Sequence, residues 1–307
     1  MFKKKKKDIN VDVYRGPWKE LWYRLKKNRM AMFSLLILLV FVTVALIAQL
    51  ASMSMFEKFF NDTIFDYDRA IDQNLSNSLQ LPSSEHFLGT DPFGRDILTR
   101  LIYGTRISLI IGISSVTISV LLGGFFGAIT GFYGGRLDNM IMRVMDVFLA
   151  VPSILLAIAI VSSLGSAIPF LIFAIALPSV PSFSRITRAA VMSVRDQEFV
   201  EASVAVGATD FRIILRHIIP NCMAPIIVQS TLSIAGAILS TAGLSFIGLG
   251  IQAPTPEWGN MLSEGRQFIV TSPYYSMITG ATIVVVILAL NILGDGLRDA
   301  LDPKLKN

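Results

Sequence analysis

An all-α polytopic membrane protein with six transmembrane helices is the fold class this sequence predicts. Three observations carry that expectation. Charged residues make up 16% of the 307-residue chain against 53% hydrophobic, with a mean hydropathy of +0.61. An ordinary soluble domain carries about 25% charge to cover its surface. The apolar residues gather into long uncharged runs, several of them near the roughly 20 residues that cross a hydrocarbon core. The remaining charge is lopsided: residues 1–29 hold 11 Lys/Arg and 3 Asp/Glu, a local +8 in a chain of net +5. Such a composition excludes a soluble enzyme and a disordered chain.

The elements follow in order. Lys3–Lys7 is a lysine run, read as a solvated tail touching anionic lipid. No aromatic or RNA-binding pattern accompanies it, so nucleic acid is not an expected partner. Pro17 opens a short helix in which Trp18, Leu21, Trp22 and Leu25 recur at helical spacing between lysines and arginines. This reads as an interfacial helix with its tryptophans at headgroup level, an anchor in the lipid membrane. Span one is Met30–Ala48, nineteen residues without a charge, about 28 Å of helix. A cleaved signal peptide is disfavoured by the 29 residues ahead of the run and the lack of an A-x-A site.

Residues 49–106 form a long outer segment. Near its end Phe93, Ile97, Leu98, Leu101 and Ile102 share a helical face, with Arg95, Asp96 and Arg100 opposite, which predicts an amphipathic helix entering span two. Span two is Ile107–Tyr133. Its Gly123, Gly127 and Gly131 fall at four-residue intervals, a row that lets helix backbones approach closely. Span three is Met140–Leu164, with Pro152 as a kink. Arg143 and Asp146 stand one turn apart in it, spaced to neutralise each other as a structural or gating pair. Direct contact with a substrate is the other reading of an ionisable residue within a span. Span four, Ile168–Phe183, tolerates Pro169, Pro178 and Pro181 only where neighbours satisfy the freed carbonyls. Met223–Gly250 and Met277–Leu293 are spans five and six.

Six spans with the N-terminus inside give the inner segments (1–29, 134–139, 184–222 and 294–307) 20 Lys/Arg, against 6 for the outer ones (49–106, 165–167 and 251–276). That split agrees with the positive-inside rule, and both termini are then cytoplasmic. The organisation reads as a basic tail and interfacial helix (1–29), an N-terminal helix with its outer loop (30–106), a core of spans (107–293) and a tail (294–307).

Inner segment 184–222 reads as two short helices with a break. Gly207 suits the left-handed residue that ends the first. Thr209 or Asp210 can cap the second, and Pro220 ends that one or bends it into span five. Within this segment Glu201-Ala202-Ser203, three residues, Gly207, nine residues and His217-Ile218-Ile219-Pro220 resemble the EAA loop of ABC importer permeases. That pattern runs Glu-Ala-Ala, three residues, Gly, nine residues, Ile-x-Leu-Pro; Ser203, His217 and Ile219 depart from it. The His-x-x-Pro-Asn form is similar to the peptide and nickel branch. So are the stretches from His86 to Asp96, Pro256 to Leu262 and Asn291 to Pro303, which resemble the C-type subunit of oligopeptide and dipeptide importers.

The resemblance implies a type I importer (MetI-like) permease fold in the bacterial cytoplasmic membrane. It implies a homologous permease partner, two ATP-binding subunits that hold ATP and Mg, and an extracellular peptide-binding protein delivering peptide. It makes Glu201, Ala202, Ser203, Gly207, Asp210, Arg212, His217 and Pro220 the ATPase-coupling positions. Arg143, Asp146, Pro152, Ser153 and Ser240 are candidates for pathway or gating. Nickel or another small solute is the alternative cargo.

No cofactor or metal site is expected in the chain, and no catalysis. There is no Gly-Lys dipeptide, hence no Walker A loop. His86 and His217 fall on opposite sides, and His-Glu-x-x-His and Gly-x-Ser-x-Gly are both absent. Cys222 stands alone, without a partner for a disulfide or a cysteine cluster. A secondary transporter would want inverted repeats or chains of intramembrane acids, for which Asp146 is thin support.

Overall fold

The computed structural model describes residues 17–53, 57–60 and 63–301. The lysine run Lys3–Lys7, the Trp18 side chain and residues 302–307 lie outside what is described. Among the described residues there is no strand. The longer helices are α1 (Pro17–Lys27), α2 (Arg29–Ala51), α3 (Ile97–Tyr133), α4 (Gly135–Ala150), α5 (Ser153–Leu164), α6 (Ile168–Arg195), α7 (Glu198–Ala205), α8 (Asp210–Phe246), α9 (Trp258–Gly265) and α10 (Pro273–Leu301). Five of these, α2, α3, α6, α8 and α10, are long and apolar enough to cross a membrane singly. The pair α4 and α5 meets the same test only when taken together, bent by 86° at the break between them, which makes up to six crossings.

The bundle is built around α3. Gly123, Gly127 and Gly131 do what their spacing predicts: they bring α3 against α6. A Cβ at Gly123 would lie 2.7 Å from the Val180 carbonyl, and one at Gly131 2.8 Å from the Arg188 carbonyl. Close backbones then allow short polar contacts between helices. Ser119 Oγ donates to the Ala176 carbonyl at 2.8 Å and Ser184 Oγ to the Gly123 carbonyl at 3.2 Å. The other flank of α3 packs on α8 and α2, and α10 closes the bundle against both of those. Trp258, fully buried at the start of α9, fills the space between α3 and the α8–α10 side and donates its indole N–H to the Leu101 carbonyl at 3.2 Å. Glu257 caps α9, accepting from the Gly259 and Asn260 amides, both at 2.9 Å.

Several expected boundaries move. α3 begins at Ile97, ten residues ahead of the expected span, so the amphipathic entry helix and the span are one rod. Asp96 starts it by accepting from the Thr99 amide at 2.9 Å. α6 continues to Arg195, because Pro178 falls in a tighter turn at Leu177–Ser179 and Pro181 in the first turn that follows, where a missing N–H costs least. The expected span three is not a kinked rod. Pro152 has an extended backbone and the chain turns through most of a right angle. α8 starts at Asp210 rather than near Met223. Pro220 does not end it: the helix widens to a π turn at Ile214–Ile218 just ahead of that proline and runs on into the span.

Candidate functional site

The segment between α6 and α8 is built on two anchors. Arg195, the last residue of α6, donates through Nη1 to the Gly131 and Phe132 carbonyls, 3.2 Å each, capping the C-terminus of α3. Val200 of α7 is buried in a small apolar core with Val191, Val194, Ile213, Ile218 and Cys222. On those anchors α7 stands with Glu201, Ala202, Val204 and Val206 in the open. Glu198 and Glu201 occupy its first turn, where negative charge opposes the helix dipole.

Gly207 ends α7 as expected, at φ +82°. The Ala208 amide reaches back to the Ser203 carbonyl at 3.1 Å and the Gly207 amide to the Val204 carbonyl at 2.9 Å. This crossed pair is a Schellman ending, which needs a left-handed residue at that position. Thr209 occupies the cap position of α8, but its side chain makes no capping bond there. Asp210 instead accepts from the Tyr133 hydroxyl at 3.1 Å, tying the start of α8 to the end of α3.

A hollow of about 410 Å³ opens beside α7. Ala202, Ser203, Gly207, Arg212 and His217 line it together with Val206 and Ala208. Five of the eight expected coupling residues are therefore brought together. Glu201 is exposed on the same short helix, Asp210 faces α3, and Pro220 does not line the hollow. In the same segment Val206 is 88% exposed and Phe211 72% exposed, apolar side chains left bare.

The expected pairing of Arg143 with Asp146 is corrected. Asp146 pairs with Arg185 of α6 at 2.6 Å, both about half exposed, while Arg143 forms no ion pair among the described residues. Asp138 likewise turns to α6 and takes the Arg188 guanidinium in a two-pronged contact, 2.6 Å at each oxygen. Two arginines one turn apart on α6 thus hold two carboxylates of α4. A tertiary partner with planar geometry wins over the neighbour one turn along the same helix.

Ser153 and Ser240 do converge. They share a cavity of about 230 Å³ between α5, α6 and α8, with Pro178, Ser179, Ser233 and Gly236 also in its wall. Pro152 sits at the bend beside it.

At the opposite end of α3 the expected polar face of Arg95, Asp96 and Arg100 is not exposed. Arg95 and Arg100 are fully buried with Asp91 and the largely buried Glu264. Arg95 reaches Asp91 at 2.7 Å and Glu264 at 2.7 Å; Arg100 reaches Glu264 at 2.9 Å. Burial pulls the Arg95 guanidinium down, but the carboxylates of Asp91 and Glu264 more than offset it and hold its pKa above the ordinary value. His86 Nδ1 stands 2.9 Å from Asp96, a loop hydrogen bond rather than a metal ligand or base.

Known proteins match this architecture. A family described as "Binding-protein-dependent transport system inner membrane component" matches residues 123–307. The "N-terminal TM domain of oligopeptide transport permease C" matches residues 16–82. The dipeptide transport system permease protein DppC of Alkalihalophilus pseudofirmus is 47% identical over 95% of this chain and 91% of its own length. The di/tripeptide permease protein DppC of Pseudomonas aeruginosa is 45% identical over 96% and 95%. The glutathione permease protein GsiD of Escherichia coli O157:H7 is 42% identical over 97% and 94%. Among solved structures, an inward-facing MetNI methionine ABC transporter aligns with TM-score 0.54 at 16% identity, over 66% of this chain and 96% of that one, which establishes the likeness of fold. The chain belongs to the family of binding-protein-dependent transport system inner membrane components, as a non-catalytic, multi-pass permease subunit of a bacterial inner-membrane importer.

Proposed function

We propose that this chain is one of two related permease subunits in an ATP-driven importer of short peptides. The complex takes in two ATP-binding subunits, which hold ATP and Mg, and an extracellular peptide-binding protein. Both termini, α1 and α7 face the cytoplasm. Residues 1–29 and 294–307 are cytoplasmic, 30–106 supply an extra helix with an outer loop, and 107–293 form the transport core. The observation that carries the reading is α7 itself: a short rigid helix, exposed on a glycine-built turn and hinged between two membrane-crossing helices. Closure of an ATPase around it would move α6 and α8 as rigid bodies. In this reading Glu201, Ala202, Ser203, Gly207, Arg212 and His217 meet the ATPase, and Asp210 and Pro220 shape the base of the loop. The Asp146–Arg185 pair gates, Arg143 faces the aqueous side of α4, and Pro152, Ser153 and Ser240 lie on the pathway.

The peptide cargo is supported by relatives whose names specify dipeptides, di/tripeptides and glutathione. They favour it over nickel. Deleting the chain from its host and measuring entry of labelled dipeptide tests the cargo: entry should fall to the background of unassisted uptake. Undiminished entry, with no other peptide importer present, overturns the reading.

A further inference from the structure

The cavity between α5, α6 and α8 gathers several unpartnered hydroxyls. Many other hydroxyls of the membrane-crossing helices are consumed locally. Ser119, Thr130, Ser163, Ser230, Thr241 and Thr279 each donate to the carbonyl four residues back, at 2.7–3.0 Å. That bond is the usual resting place for a hydroxyl on an apolar helix. Ser153, Ser179 and Ser240 make no side-chain hydrogen bond among the described residues, and all three line the cavity. For Ser153 the reason is positional: it opens α5, so no helical turn precedes it.

Gly236 completes the wall. A Cβ built there meets nothing within 4 Å, unlike Gly123 or Gly131, so it leaves room rather than allowing helices to touch. None of the lining residues is charged.

We propose that this cavity is a transit subsite for the peptide bond of the cargo, its carbonyl and its N–H both met by the free serine hydroxyls, which can donate and accept. This rests on the peptide-import reading. A volume of about 230 Å³, or roughly seven waters at about 30 Å³ each, accommodates one peptide unit. Every peptide presents that unit whatever its side chains, so a subsite for it is tolerant of sequence. Neutral hydrogen bonds, without an ion pair, also release what they hold, as a conduction pathway requires. Gly236 sets the width.

The test uses the whole transporter, with its ATPases and binding protein, in proteoliposomes. Uptake of a labelled dipeptide and of its ester analogue, in which oxygen replaces the amide N–H, is measured with the binding protein saturated. Wild type should move the amide about threefold faster than the ester, the worth of one modest hydrogen bond. Combining Ser153→Ala, Ser179→Ala and Ser240→Ala should slow the amide about tenfold and bring the two substrates to equal rates in fully assembled complex. A general structural defect would slow both substrates and keep their ratio. Gly236→Leu, whose Cβ meets nothing within 4 Å, should block dipeptide entry in assembled complex. Wild-type rates or a wild-type ratio in the triple variant, or normal uptake by Gly236→Leu, overturns the subsite. A wild-type complex that moves no dipeptide overturns the import reading instead.

Discussion

At one end of α3 two arginines and two carboxylates meet out of water; at its other end the charged groups of the 196–212 segment stand in it. The first set, Asp91, Arg95, Arg100 and Glu264, joins the segment before α3 to α9 through contacts of 2.7–3.3 Å. The second set, Glu198, Glu201 and Arg212, makes no ion pair among the described residues and is open to solvent. Charge withdrawn from water is useful only when each group has a fixed partner, and it then fixes the geometry around it. Charge left in water fixes nothing in the free chain and is available to a partner. The contrast assigns different roles: the clustered end holds the bundle, and the loop end offers its charge to a partner.

Breaking the cluster should therefore have the largest effect on the fold. Glu264 takes both guanidinium groups and the Tyr275 hydroxyl, the last at 3.3 Å. Glu264→Ala leaves two buried cations with Asp91 alone. The expected cost is about 3–5 kcal/mol, the usual penalty for removing one partner of a buried ion pair. Thermal unfolding in detergent should register it as a large fall in Tm and poor recovery from membranes. A Tm within a degree of wild type would make the cluster as dispensable as a surface pair.

How much of this was legible in the sequence depends on where each partner lies. Gly123, Gly127 and Gly131 announce a close helix contact by spacing alone, because the property belongs to one helix. Gly207 announces its turn because few other residues reach φ +82° cheaply. The partners of Arg95 and Arg100 did not show. Glu264 lies 169 and 164 residues away, and helical periodicity compares only residues of one element. Arg143 and Asp146 illustrate the converse error. Spacing along α4 permits their pairing, but Arg185 approaches from α6 with better geometry. The 86° break at Pro152 escaped for a related reason. Proline forecasts a weakness in the helix, whereas neighbouring helices decide how far it opens.

At the loop end stability and function should separate. Gly207→Val forces a branched residue into the left-handed region, at a cost of about 1–2 kcal/mol, while its Cβ meets no heavy atom within 4 Å. The Schellman ending should loosen and α7 should lose its fixed angle to α6 and α8. Insertion and Tm should change far less than in Glu264→Ala, while ATP-driven uptake falls by at least about tenfold, equivalent to ~1.4 kcal/mol of lost coupling. Normal uptake by well-assembled Gly207→Val protein would contradict the role given to α7.

The smallest expected effect on stability sharpens the comparison most, because it concerns a pair between the two extremes. Arg185 and Asp146 are 2.6 Å apart yet about half exposed, so water screens them and their pairing is worth about 0–1 kcal/mol. Asp146→Asn should leave Tm nearly unchanged. The neighbouring pair, Asp138 with Arg188, is the better buried of the two and would continue to hold α4 to α6. If Asp146–Arg185 gates, its loss should instead raise the rate of ATP hydrolysis in the absence of peptide, since the state it closes is no longer favoured. Arg185→Gln should do the same, and the double variant should add nothing, because both substitutions remove one interaction. Additive effects would mean that the two residues act separately and that the ion pair is only a surface contact.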